Sequence, residues 1–398
     1  RNNISDIKTW LSVKSWELGI SNFFINEIPF SWSNSDQFCQ IVCDYLQLVL
    51  KRVDMPLIYD IGAGLGIGSK KYIQKLNLCT QAQVHIIDSS FSIIEQLKRD
   101  LSLINSNIKC RHMSFETLDK VPHFALMSYL FCSMPHQMII WDGNQFKEEK
   151  KIVRFKGDLL DTSHIPPKII VKDDIYHWID EAFDDVLLAH LKQIKDLIEV
   201  ENTILDPFYF DRKHDELFRD YFLKNDITYC KFNYSQSIIA QLIWCFENAP
   251  KTFMLFIQDV GDSIAYPDTL LTFDYGVCEF FTIYFPLIAH LASSYGLNLK
   301  MTSFPNGETQ HLIIYKGIPC LDVSQIINFQ TSFSDYEKSI KLKLRNWSND
   351  TNQALPINLL DYNYSINVLI AKYFFMDKQG AQAIKYCLDC IDEYGDLA

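Results

Sequence analysis

Residues 57–69 read LIYDIGAGLGIGS, an apolar run that ends in an acid and passes at once into alternating glycines. Apolar residues in succession, with no polar alternation, make the pattern of a strand covered on both faces. Gly62, Gly64 and Gly66 strip the side chains from the turn that follows, so backbone and ligand can approach each other closely. Helical spacing resumes at Ser69, and the free N–H groups of a helix start point back at whatever the turn holds. Strand, bare turn and helix form the opening unit of an open α/β sheet, which binds ligands outside the carboxyl ends of its strands.

The rhythm continues. VHIID at Val84–Asp88 is a second buried strand, Ser92–Leu103 a helix, Ile108–Cys110 a third strand and His123–Leu130 a fourth. Strands alternating with helices predict a parallel sheet with helices on both faces. Gln137–Trp141 and Phe146–Arg154 flank Asp142-Gly143, a hairpin signal. Residues to about 250 then read as mostly helical, with candidates at Glu181–Glu201, Lys213–Lys224 and Ser235–Glu247. TFMLFIQD at Thr252–Asp259 resumes the sheet, Phe280–Tyr295 predicts a helix, and Leu297–Phe304 with Gln310–Lys316 predicts a closing hairpin.

The fold class is therefore α/β, a Rossmann-like doubly wound, mostly parallel seven-stranded sheet. A helical insertion follows strand 4 and a C-terminal α-helical repeat segment follows the sheet. The division runs 1–52 for N-terminal helices, 53–136 with 251–320 for the core, 137–250 for an inserted hairpin and helical cap, and 321–398 for the tail. In that tail Ser365–Phe375 and Ala381–Tyr394 are helical, and Ala371, Tyr373, Gly380, Ala383 and Tyr386 resemble a tetratricopeptide repeat.

Three glycine-loop chemistries compete for residues 62–66. A phosphate loop needs Gly-Lys-Ser/Thr, and Gly68-Ser69-Lys70 breaks that order. A dinucleotide loop wants G-x-G-x-x-G, but counting from Gly62 reaches Ile67 and from Gly64 reaches Ser69. Asp60-x-Gly62-x-Gly64-x-Gly66 instead resembles the first motif of class I S-adenosylmethionine-dependent methyltransferases. That resemblance implies S-adenosyl-L-methionine as cofactor, Asp60 at its methionine part, and a seven-stranded sheet ending in an antiparallel hairpin. Asp88, at the tip of the second strand, is suited to accept both ribose hydroxyls, as dehydrogenases also arrange. Its bland alternative is a helix N-cap with Ser89 and Ser90.

Many class I enzymes set an acid beyond the third strand against adenine; here Ser114 and Phe115 offer a hydroxyl and a stacking face, or Phe115 is core. The fourth strand ends SYLFCSMP at Ser128–Pro135. With the glycine loop this is similar to the MidA-like methyltransferases, which include a mitochondrial complex I assembly factor. It is closer still to bacterial methyltransferases that carry tetratricopeptide repeats. Ser128, Tyr129 and Cys132 stand where those families carry Asn, Glu or Tyr, and Asp. The lost acids argue against a guanidinium acceptor, which carboxylates would bind. Cofactor contacts are expected from Asp60, Gly62, Gly64, Gly66, Asp88, Ser114, Phe115 and Ser128. Tyr129, His136 and Asp259 are the catalytic candidates near the strand tips.

A net charge of −12 argues against a phosphate backbone as substrate. Eleven cysteines in apolar surroundings suit reduced thiols in the cytoplasm, and Cys387-x-x-Cys390 lacks the second pair that a zinc site needs. No run reaches the ~18 apolar residues of a membrane span. The acceptor expected from the helical tail is a protein side chain, since helical repeats present protein-binding surfaces. A small-molecule O- or N-methyltransferase, and a non-catalytic adaptor or assembly factor, are the alternatives.

Overall fold

The computed structural model describes residues 36–64, 66–102, 108–155, 198–263, 272–275, 278–304, 308–319 and 322–331. Helix α1 (Asp36–Leu50) leads to β1 (Leu57–Ile61), and the glycine turn joins β1 to α2 (Ile67–Lys75) and the one-turn α3 (Leu78–Gln81). Next come β2 (Gln83–Asp88), α4 (Phe91–Ser102), β3 (Lys109–His112) and β4 (Phe124–Ser128). After them lie β5 (Gln137–Trp141), β6 (Phe146–Phe155), β7 (Ile198–Pro207), α5 (Arg212–Lys224), β8 (Cys230–Tyr234) and α6 (Gln236–Glu247). The remainder is β9 (Phe253–Asp262), β10 (Thr272–Tyr275), β11 (Cys278–Phe281), β12 (Ile283–Tyr284), α7 (Phe285–Ser294), β13 (Asn298–Met301), β14 (Glu308–Lys316) and α8 over 324–331.

The main sheet runs β13-β14-β9-β4-β1-β2-β3, with β12 added beside β9 as an eighth strand. From β9 to β3 the pairings are parallel, while β14 runs antiparallel to β9 over the whole stretch Glu308–Lys316. The expected closing hairpin is present as β13 on β14. Strand residues alternate between two cores. Tyr59, Ile87, Met127 and Ile257 face one; Ile58, Ile86, Leu126 and Phe256 face the other. Helix α1 brings Phe38, Val42 and Leu46 to the second core and α6 brings Ile238 and Leu242 to the first. Each such side chain contributes about 1.5–3 kcal/mol by leaving water, which is why two faces of unbroken apolar strand are stable only between helices.

Two expectations need correction. The insertion is not mostly helical where it is described: β7-β6-β5-β8 form a separate four-stranded antiparallel sheet, with α5 between β7 and β8 in the chain. The helix expected to run through Glu201 meets a strand at Ile198–Pro207, paired with β6 from Phe155↔Ile198 to Lys147↔Pro207 around a bulge at Ile152/Val153. Alternating β-branched residues, Ile198, Val200 and Ile204, favour that strand. The helix expected at Phe280 instead starts at Phe285, because Pro286 suits a first turn and β11 and β12 occupy the preceding residues. The tetratricopeptide-like helices, Cys387-x-x-Cys390 and most of Glu181–Glu201 lie outside the described residues. No helix among the described residues is long and apolar enough to cross a membrane.

Candidate active site

The glycine turn is sewn to the end of β2, where Gly62 N–H donates to the Ile87 carbonyl at 2.8 Å. Gly66 has φ +67 and caps α2; a Cβ there would lie 2.5 Å from Leu97 Cδ2, so Leu97 would have to shift to admit one. Gly64 has φ +54, yet a Cβ there would meet nothing within 4 Å. Both positions adopt the left-handed backbone that glycine takes freely, and Gly66 is in addition packed against Leu97, while Gly64 faces open space.

That space is a cleft of ≈ 240 Å³ bounded by Gly62, Gly64, Asp88, Phe115, Tyr129 and Pro135, among others. A second cavity, lined in part by His136, measures ≈ 20 Å³, enough for about one water, so of these two the cleft is the one that can admit an organic ligand. It opens at the carboxyl ends of β1, β2 and β4, the ligand position of open α/β sheets.

Asp88 points at the turn. Its Oδ2 accepts the Gly64 N–H at 3.1 Å and its Oδ1 the Ser90 N–H at 2.9 Å. Burial pushes its carboxyl up to about 6, while the Ser90 and Gly64 amides pull it back. Asp60 does not line the cleft. It is buried and takes the hydroxyls of Ser69 and Tyr72, binding the first turns of α2 to β1, and burial raises its carboxyl above the usual range.

Ser114, Phe115 and Glu116 line the β3 side. Phe115 is also core, 1% exposed, with its ring 5.3 Å from that of Phe131. Glu116, not singled out from the sequence, accepts from Ser237 Oγ at 3.3 Å. On the β4 side Tyr129 is a non-glycine residue at φ +52, directly after the strand. Its N–H donates to the Gln258 carbonyl at 2.8 Å and its hydroxyl meets Thr309 Oγ1 at 3.0 Å. Ser128 turns its hydroxyl to Gln258 Oε1 at 3.3 Å and does not line the cleft.

Two catalytic candidates lie behind the wall. Asp259 is 1% exposed; its Oδ2 accepts Phe131 N–H at 2.8 Å and Cys132 N–H at 3.1 Å, and its Oδ1 accepts Val260 N–H at 2.8 Å. It braces the loop after β4, and burial pushes its carboxyl up to about 6. His136 is buried, bonds through Nδ1 to the Met134 carbonyl at 2.7 Å, and stacks on Phe281. Burial pushes it down to about 4, so its ring is neutral. A strand tip and a polar residue type suggest chemistry; which way the side chain turns is set by packing. Leu130, Met134 and Pro135 line the cleft without any polar signal in the sequence. Among the described residues no cluster of His, Cys, Asp or Glu could hold a metal ion.

The strand order, the antiparallel β14 and a ligand cleft at the bare turn define a Rossmann-like doubly wound architecture. Solved structures with which this chain shares a likeness include an uncharacterised protein of Burkholderia thailandensis, 10% identical over 80% of this chain and 95% of that one, with a TM-score of 0.42. A second protein of that organism, bound to S-adenosyl-homocysteine, is 11% identical over 71% and 77%, with a TM-score of 0.39. Magnesium protoporphyrin IX methyltransferase of Synechocystis PCC 6803 with bound SAM is 10% identical over 70% and 80%, with a TM-score of 0.31. No protein-family model and no curated relative matches the chain.

Proposed function

We propose that the chain is an S-adenosylmethionine-dependent methyltransferase. The observation that carries this reading is the Asp88 carboxylate set against the Gly64 amide at the mouth of the cleft. A carboxylate offers about four acceptor positions. Gly64 and Ser90 use two, and the acceptor capacity that remains suits the vicinal hydroxyls of a ribose. The unfilled space over Gly64 accommodates the nucleoside passing close to the backbone. Glu116, on the β3 side, is the carboxylate within the lining that suits the exocyclic amine of adenine. An antiparallel strand beside β9 supports the transferase reading over a dehydrogenase of similar outline.

When bound, the sulfonium cofactor supplies an electrophilic methyl group. The residues of this chain hold and orient it: Asp88 fixes the ribose, the Gly62–Gly64 backbone carries the middle, and Tyr129 and Leu130 exclude water beyond it. In-line displacement asks mainly for alignment and desolvation, which suits a site whose buried Asp259 and His136 brace the wall. The expected protein partner depends on residues 365–394, which lie outside the described residues.

The test is calorimetry of the full chain with S-adenosyl-homocysteine and, separately, NAD. One-to-one binding of the first, weakened at least about tenfold by Asp88→Ala, is the expected result. Preference for NAD, or binding that ignores Asp88→Ala, would sink the proposal. Binding without transfer to any acceptor would favour the adaptor.

A further inference from the structure

Strand order gives the cleft two chemically distinct ends. The tips of β2 and β3 bring the carboxylates of Asp88 and Glu116, and beyond β1 the tip of β4 brings Tyr129, Leu130, Met134 and Pro135. A ribose on Asp88 directs the rest of its nucleoside across the bare turn toward that second end, which offers a phenol ring, a branched aliphatic, a thioether and a pyrrolidine. The hydroxyls there are engaged: Tyr129 with Thr309 Oγ1 at 3.0 Å, and Ser133 Oγ donating to the Leu130 carbonyl at 2.7 Å.

Tyr129 is the least expected of these residues. A tyrosine at φ +52 adopts a left-handed backbone that its Cβ disfavours, and such strain persists only where the surroundings fix it. Here its amide is fixed to β9 and its hydroxyl to β14. Three strands thus hold one aromatic ring rigid at the cleft wall. A rigid ring in a wall that also carries a methionine makes a surface on which another flat ring gains stacking and sulfur–ring contacts. A guanidinium or ammonium would want carboxylates, and those of the described cleft stand at the other end.

We infer that the methyl acceptor is a small planar aromatic molecule without cationic charge, its ring seated on Tyr129, Leu130, Met134 and Pro135, with Tyr129 as its positioning residue. The inference rests on the methyltransferase reading. With thiophenol as probe, the aryl thiol yields its proton to water and its sulfur lone pair forms the new S–CH3 bond. The bond from that methyl to the cofactor's sulfonium breaks, and its electron pair stays on the sulfur, leaving the neutral thioether S-adenosyl-homocysteine.

The experiment measures methyl transfer by the full chain to thiophenol, 2-mercaptoethanol and methylguanidine, with S-adenosyl-homocysteine affinity determined in parallel. Thiophenol is expected to exceed 2-mercaptoethanol in kcat/KM by about tenfold, with no product from methylguanidine. Tyr129→Ala raises the thiophenol KM about tenfold with kcat within about twofold, and Tyr129→Phe, which keeps the ring, restores KM. Should Tyr129→Ala not fold, Met134→Ala is read in its place, with the same rise in KM expected. Thiophenol no better than 2-mercaptoethanol, a preference for methylguanidine, or a wall substitution that leaves KM unmoved or acts on kcat alone would overturn the inference. So would intact cofactor binding with no transfer to any of the three. Loss of S-adenosyl-homocysteine binding by the wild-type chain would instead remove the methyltransferase reading itself.

Discussion

At the tip of β2, burial and two amides act in opposite directions on Asp88, and its carboxyl comes to rest at about 6 against an ordinary 3.8. In the free chain the contribution of this group to folding is present below about pH 4 and lost as pH rises through 6, since the unfolded carboxyl ionises first. Ligand binding has the opposite sign, because ribose hydroxyls donate to the ionised form. With one tenth of the carboxyl ionised at pH 5, the affinity for S-adenosyl-homocysteine should be about tenfold weaker there than at pH 8. Calorimetry across that range checks it, and Asp88→Asn should give weak binding with no slope. A flat wild-type profile would count against Asp88 as the ribose acceptor. Asp259 rests at the same value for the same reason, yet it spends one oxygen on two amides of the loop after β4 and the other on the Val260 amide of its own strand. Two carboxyls with equal acidity therefore serve different ends, one facing a ligand space and one a backbone. That difference was legible for Asp88, where an acid ends a strand opposite a bare turn. It was illegible for Asp259 and His136, because a strand-end position leaves the direction of the side chain open.

The glycine turn is the element on which cofactor binding hangs, and its positions are separable by experiment. Gly66→Ala must fit a Cβ 2.5 Å from Leu97 Cδ2 at φ +67, so strain and overlap combine. Overpacking of this kind costs about 1–3 kcal/mol, and the left-handed backbone adds about 1–2. Gly64→Ala carries the backbone cost alone, since its Cβ meets nothing within 4 Å. Urea denaturation should therefore find Gly66→Ala the less stable variant. Calorimetry should find that Gly64→Ala loses more affinity for S-adenosyl-homocysteine than its small stability loss explains, because its methyl enters the cofactor's space. Equal affinity in Gly64→Ala and wild type would mean that the space over the turn is not where the nucleoside lies. At this scale much was readable. Helix α1 falls on the expected Asp36–Leu50, and the hairpin across Asp142-Gly143 forms with Gly143 at φ +88. Ile198–Pro207 was obscured by the helical spacing read up to Glu201: its alternating Ile198, Val200 and Ile204 are a short signal, and its partner β6 lies some fifty residues earlier.

Among the described residues, the sheet is stable because helices cover both faces, and β14 packs in one core with α1. His311 on β14 shows what that burial costs a polar ring. It is fully buried, 6.1 Å from the Phe38 ring of α1 and 6.0 Å from the Phe256 ring of β9. Burial pushes it down to about 3 from 6.5, so between those values the ring stays neutral in the folded chain while the unfolded one has already taken a proton. Its share of stability is accordingly present above pH 6.5 and lost as pH falls toward 3. His311→Phe keeps a flat ring between Phe38 and Phe256 and removes the proton site. Urea midpoints measured from pH 7 to pH 4 should fall less steeply in this variant than in wild type. Parallel slopes would mean that acid reaches His311 without unfolding the chain, and that the contact between α1 and the closing strand opens to water before the sheet does.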